Sequence, residues 1–288
     1  MLAVAIAAAV SVQAESHDDA ARLVEILQRA GERVERYFRR AQSILCLEVV
    51  HLQPLSPTWS VAGFGRTVES ELRLSWQPAS DGTPSPDAQM LRQLVKVNGQ
   101  PPDRDDWKNC TSPEQQSQEP QALSMLLPSQ RRDYEFTYAG ETRIDRRAAH
   151  VIEYRLLTKM TVDSKMVEGR DDCVSFKIEG GMRGRIWVDA ETHDVLRLDE
   201  RLGTLVDIPL PDEARRMTDG RWFWTLERWD TSIRFKRVTF SDPDETLVLP
   251  ESRLSVQVTR GSGTPRLRTM TTYRNYQRFV TGARVVGD

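Results

Sequence analysis

The chain reads as an α+β, mainly β protein. It predicts one large curled antiparallel sheet of about ten strands, covered by a long N-terminal helix and by short loop helices. Three observations predict this. From residue 43 almost to the end, apolar residues recur with a period of two, the pattern of half-buried strands. The strand segments follow one another through short turns, which calls for antiparallel hairpins rather than βαβ units. Ahead of them stands one amphipathic stretch at helical spacing, whose apolar stripe needs a sheet to bury against. A sheet this wide tends to curl into a partial barrel.

The helix is expected from Ser16 or Asp18, either of which can cap it, with Asp18 and Asp19 at the positive end of its dipole. Apolar residues at 20, 23, 24, 27, 30, 34, 37, 38 and 41 form its stripe; Glu25, Arg29, Glu32, Arg33, Glu35, Arg36 and Arg40 form the opposite face. Strands are expected at 43–53, 61–77, 90–97, 133–144, 148–159, 173–179, 183–189, 194–202, 224–240, 246–259 and 265–279. Asn98-Gly99, Ala190-Glu191-Thr192-His193, Asp242-Pro243-Asp244 and Gly261-Ser262-Gly263 supply turns. Residues 101–130 form a polar, Pro/Gln-rich insertion with at most a short helix near 113–124, and 203–221 is a mixed segment with two prolines. There is no internal repeat and no linker long enough to divide residues 15–288 into two domains.

Residues 2–12 are an apolar run without a charge, and Val12 and Ala14 occupy the small-residue positions of a signal-peptidase site. Residues 1–14 therefore read as a signal peptide, cleaved before Glu15, and the protein as periplasmic or secreted. The run lacks a charged leader, which points to a true start a few codons upstream. It is too short to span a bilayer, and no later apolar run is long enough. Export permits a disulfide. Cys46 sits in a strand pattern as a buried small residue, whereas Cys110 and Cys173 lie in polar sequence, and their pairing would close a long loop.

A net charge of −2 gives no field for nucleic acid. Six lysines stand against 34 arginines, but the arginines are scattered and matched by acids. The four histidines are far apart and form no metal-binding spacing; there is no nucleophile elbow, P-loop or C-x-x-C. Gly63-Phe64-Gly65 lacks the third glycine of a dinucleotide fingerprint and reads as a strand kink. The acid pairs Asp105-Asp106 and Asp171-Asp172 read as solvated or turn-capping. The last strand alternates arginine with aromatics, which suits RNA or a half-buried strand, and export argues against the former. The sequence thus points to no enzyme, cofactor or metal.

One apolar cluster stands out: Leu205, Val206 and Ile208 together with Trp222 and Trp224. It reads either as a plug of the core or as the lid or rim of a site for an apolar ligand, with these five residues as the candidate contacts.

The hairpin Gly184-Arg185-Ile186-Trp187-Val188-Asp189-Ala190-Glu191-Thr192-His193-Asp194-Val195-Leu196-Arg197-Leu198-Asp199 resembles the turn of the periplasmic lipoprotein-carrier (LolA/LolB-like) superfamily. Tyr138–Tyr154 resembles the strand pair before it, and Tyr273–Phe279 is similar to the end of exported acidobacterial proteins. The resemblance covers mainly 136–280, and the 101–130 insertion departs from it. It implies an unclosed β-barrel with helices in or over its mouth. Superfamily members hold or sense lipoprotein acyl chains, so a lipid, a lipoprotein or another envelope protein is the implied partner. The competing reading is a structural or protein-interaction module of the envelope without a small ligand.

Overall fold

The computed structural model describes residues 4–40, 43–76, 88–103, 106, 122–167, 170–218, 220–242 and 244–278, with side chains of the first helix from Asp18 on. Helix α1 spans Val4–Arg40. Strands β1 (Ser43–Pro54), β2 (Arg66–Trp76) and β3 (Ala88–Val97) follow. A 3-10 turn at Ser124–Leu126 and the short helix α2 (Pro128–Arg131) lead into β4 (Tyr134–Ile144) and β5 (Arg147–Leu156). Then come β6 (Thr161–Val167), β7 (Arg170–Glu179), β8 (Met182–Asp189), β9 (Val195–Leu202), β10 (Val206–Pro209) and α3 (Asp212–Met217). Three long strands close the chain: β11 (Phe223–Ser241), β12 (Asp244–Arg260) and β13 (Arg266–Arg278).

Eleven strands form one unclosed antiparallel sheet in the order β3, β2, β1, β13, β12, β11, β9, β8, β5, β4, with β10 added to β11; β6 and β7 form a separate hairpin. Two meanders are thus joined by the last strand, which pairs with β1 on one side and β12 on the other. Strand β11 is long enough to serve two partners along one edge, β10 at Phe223–Leu226 and β9 at Asp230–Arg234.

Alternation decides the two faces. On β8, Ile186 and Val188 are buried while Arg183 and Arg185 are exposed. The inward residues Ile152, Ile186, Val188, Leu198, Ile233, Phe235 and Leu249 meet the α1 stripe of Ile26, Leu27, Ala30, Val34, Tyr37 and Phe38 in one core. Burying a side chain of this size stabilises by about 1.5–3 kcal/mol relative to leaving it in water. The stripe is rotated from the expected one: Ile26 is buried, and Val24 is exposed. Beside the helix, Leu123, Met125, Leu126 and Leu127 enter the same core, so the end of the 101–130 stretch is interior packing. At the β1–β2 end the inner face carries a buried ion pair, Arg92 Nε to Glu48 Oε2 at 2.7 Å, which separates the main core from a smaller cluster of Val50, Leu52 and Val68.

Several expectations need correction. No cap interrupts the chain at Ser16 or Asp18; α1 runs through both from Val4, because the alanine-rich leader is itself a strong helix former. Strand β2 starts at Arg66 and not at residue 61, since Trp59 and Gly63 take φ of 66° and 67°, which a strand does not accept. Gly63-Phe64-Gly65 is therefore the approach to β2, with Phe64 fully exposed. Strands β6 and β10 and helix α3 were not foreseen, and the expected helix near 113–124 falls on residues mostly outside those described.

Gly31 lies where α1 meets the 123–127 segment. An added Cβ would stand 2.4 Å from Arg131 Nη2 and 2.7 Å from the Leu126 carbonyl oxygen. Helix propensity alone predicts that Gly31→Ala gains about 1 kcal/mol. We expect instead a loss of about 1–3 kcal/mol from overpacking, read as a lower urea midpoint at unchanged slope. A gain would show that helix and loop are not in close contact.

Candidate functional site

The five sequence candidates come together at one end of the sheet but in different environments. β10 pairs with the start of β11, Val206 opposite Leu226 and Ile208 opposite Trp224. Val206 and Ile208 are fully buried with Leu226 against Met160 and, from the β6–β7 hairpin, Val162, Phe176 and Ile178, in a second core apart from the α1 core. Leu205 and Trp222 are exposed, and the Arg215 guanidinium lies 4.2 Å from the centre of the Trp222 ring. Trp224 is half-buried, against Gly261, whose φ of 92° and missing Cβ admit the ring. Packing of the hairpin accounts for Val206 and Ile208; Leu205 is exposed at one end of β10, and Trp222 and Phe223 are exposed at the other, beside Pro209.

The concave side is the other candidate. Its cover consists of α1 and residues 122–131, linked by Arg131, whose Nη2 donates to the Leu27 carbonyl (2.7 Å) and the Leu126 carbonyl (3.0 Å). Arg33 Nε donates to the Thr192 carbonyl at 3.0 Å, and Arg22 faces Glu141 at 3.5 Å, tying the helix to the β8–β9 turn and to strand β4. A crevice of about 90 Å³ remains between cover and sheet, lined by Val34, Tyr37, Leu123, Val195 and Leu247 among others.

The β8–β9 turn that carries the family resemblance is held by its own side chains. Asp189 Oδ1 accepts from the Thr192 amide (2.8 Å), the Thr192 hydroxyl (3.0 Å) and the Glu191 amide (3.1 Å), and Arg147 pairs with Asp189 at 2.7 Å. Burial pushes the Asp189 carboxyl up, but the Thr192 hydrogen bonds and the Arg147 charge outweigh it and hold it below the usual range. The motif is a turn device, so it identifies architecture rather than chemistry.

Besides the Glu48–Arg92 ion pair, a second polar pair interrupts the inner face. Tyr154 lies across Gly184, where a Cβ would stand 2.7 Å from its hydroxyl, and donates to Glu200 Oε1 at 3.0 Å. Burial raises the Glu200 carboxyl above its ordinary value, although the Tyr154 hydrogen bond and the Arg253 charge pull the other way. Sequence reasoning passed over Glu200 because it sits in the charged run Asp199-Glu200-Arg201. The signal was its phase: it shares parity with the buried Leu196 and Leu198. The Leu123–Leu127 cover was also missed, though it is a short apolar run inside a polar stretch.

Among the described residues no group of three His, Cys, Asp or Glu could hold a metal, and no helix is long and apolar enough to cross a membrane. Cys46 is a buried thiol, as expected. Cys173, in β7, is buried and disulfide-bonded; Cys110 lies outside the described residues.

No family model matches the chain, and no curated protein matches it. Among solved structures, a DUF1329 family protein from Desulfovibrio piger aligns over 90% of this chain and 94% of its own, at 11% identity and a TM-score of 0.41. A domain from Vibrio parahaemolyticus named for outer membrane lipoprotein sorting aligns over 90% and 94%, at 10% and 0.38. A LolA superfamily protein from Nitrosomonas europaea aligns over 91% and 97%, at 10% and 0.33. The last belongs to the superfamily that the β8–β9 hairpin resembles. At these identities and scores the likeness is one of chain course only.

Two outcomes are expected. Peptide mapping without reductant should recover a Cys110–Cys173 link, and a Cys173 peptide found as a thiol or joined to Cys46 would exclude that pairing. The second concerns Glu200. Its raised pKa means that the folded chain keeps a proton at pH values where the unfolded chain, near 4.5, has lost it. Stability therefore falls as pH rises from the unfolded value through the raised one. Glu200→Gln should flatten that fall, so the difference in urea midpoint between variant and wild type should grow over this window and then level. A difference constant from pH 4 to pH 8 would refute the assignment.

Proposed function

We propose that the protein is an exported envelope protein that binds an apolar chain, such as a lipid or lipoprotein acyl chain, on the concave side of its sheet. In this reading α1 and residues 122–131 form a displaceable cover. Cleavage before Glu15 would release the chain to the periplasm, with α1 then starting near that residue. The supporting observation is that one amphipathic helix and one short loop roof a large apolar interior. The cover is tied to the sheet by a few polar contacts at its ends, and Arg131 makes helix and loop one unit. The exposed Trp222 and Phe223, with Trp224 beside them, offer apolar surface at the end of the sheet where a chain could first be met.

A second reading has one observation in its favour. The crevice under the cover is about 90 Å³, well short of the few hundred Å³ of a preformed ligand site. Packing this close between the described residues of cover and sheet suits a protein-interaction module of the envelope.

One titration separates the two. The chain from Glu15 is titrated with a fluorescent long-chain fatty acid, alongside Arg131→Ala, which unties helix from loop. A covered site predicts saturable binding that tightens several-fold in the variant, because apparent affinity scales with the open fraction. No binding to either protein would sink the carrier reading and leave the interaction module. Circular dichroism confirms that the variant is folded.

A further inference from the structure

The outer face of the sheet carries a groove of about 470 Å³ across β5, β8, β9, β11 and β12. Strand register brings a row of arginines to it: Arg155 stands opposite Arg183, and Arg183 opposite Arg201. Like charges directly opposite each other in a ladder are destabilising. Arg155 is neutralised by Glu135. The acids around the groove are engaged by other arginines: Glu153 with Arg185 at 2.6 Å, Asp199 with Arg197 at 2.7 Å, and Asp230, which the register puts opposite Arg201, with Arg228 at 2.5 Å. Glu200 faces the other side, toward Tyr154. Arg183 and Arg201, both exposed, have no ion pair among the described residues. Two adjacent guanidiniums therefore face one groove with their charge unspent, while Leu254 and Val256 supply an apolar side to it.

We propose that Arg183 and Arg201 bind a phosphate group in this groove. Each guanidinium is a planar fork of donors, and two forks on neighbouring strands match the several acceptor oxygens of one tetrahedral anion. The anion relieves the repulsion that the register imposes. Leu254 and Val256 lie where an apolar substituent of a phosphate ester would run, so the source is either a phospholipid head group or free phosphate. The site lies on the face opposite the covered interior and does not depend on the acyl-chain reading.

The test uses the full exported chain, Arg183→Gln, Arg201→Gln, and Arg143→Gln, on the exposed face of β4, as a control outside the groove. Inorganic phosphate, against sodium chloride of matched ionic strength, is expected to raise the melting temperature of wild type and control with saturation. Each groove variant should lose about tenfold or more in apparent phosphate affinity, the worth of a charge-assisted hydrogen bond. Without phosphate both groove variants should be at least as stable as wild type, since they remove a like-charge contact; a structural role for either arginine would give the reverse. Flotation with phosphatidylglycerol vesicles, with phosphatidylcholine as control, decides the source. Binding that phosphate competes away supports a head group, and a phosphate shift without flotation supports the free anion. No phosphate effect, or one equal in wild type and both groove variants, means an adventitious ion only and overturns the proposal.

Discussion

The whole architecture depends on one burial: the apolar stripe of α1 against the concave face of the sheet. Neither surface is stable alone. An amphipathic helix in water gains little from propensity and needs a partner for its apolar face. A sheet whose inner wall is Ile152, Ile186, Leu198, Ile233 and Leu249 cannot leave that wall wet. Ala30 at 0% exposure and Gly31 let the helix approach closely, and Arg131 locks the neighbouring loop to it by accepting no compromise in geometry: one guanidinium nitrogen serves two carbonyls. The wall is assembled late in the chain, because β13 must pair with both β1 and β12 before the two meanders share one surface. Pairing between the ends of the chain is a non-local contact, whose loop-closure cost burial under α1 helps to offset.

A sheet has two faces, and this chain assigns them opposite chemistries on the same strands. Outward positions alternate arginine with acid, so that ion pairs such as Arg185 with Glu153 cross from strand to strand. Exposed pairs of this kind contribute little stability each. Their larger effect is on register, because a one-residue slip would bring these charges into the core. The row through Arg155, Arg183 and Arg201 departs from that balance and concentrates positive charge. The inner face has its own exceptions. Glu48 is neutralised by Arg92, whereas Glu200 is held by a tyrosine hydroxyl and a raised pKa.

Sheet, helix and hairpins were legible because they obey simple periods. Residues such as Ile186 and Val188 announce their phase through the charged neighbours between them. What escaped was short or locally ambiguous. β10 is four residues long and ends in proline, so its strand character comes from pairing with β11 and not from its own pattern. β6 alternates apolar Val162 and Met166 with polar residues, but Ser164 interrupts the apolar side, and its hydroxyl bonds the Pro209 carbonyl. The spacing alone puts Val24 inside the α1 stripe; a helix face about 100° wide leaves boundary positions undecided until the partner surface is known. The candidate rim was legible as apolar surface. Its division into buried Val206 and Ile208 and exposed Leu205 and Trp222 was not, because the β6–β7 hairpin that buries the first pair is remote in sequence.

If an acyl chain displaces the cover as proposed, the energetics of that exchange are close to balance. Ile26, Leu27, Val34, Tyr37 and Phe38 contribute roughly 8–15 kcal/mol of burial at about 1.5–3 kcal/mol each. A sixteen-carbon acyl chain returns about 12 kcal/mol at about 0.8 kcal/mol per methylene. The apolar wall is then as well covered by one as by the other. The difference falls to the polar ties at Arg33 and Arg131, each worth on the order of 1 kcal/mol, while the exposed pair at Arg22 adds little. Those ties set the fraction of open chains, and any ligand under the cover would have its apparent affinity reduced by that fraction. A protein built this way would hold an apolar chain without exposing an empty apolar cavity to water between cargoes.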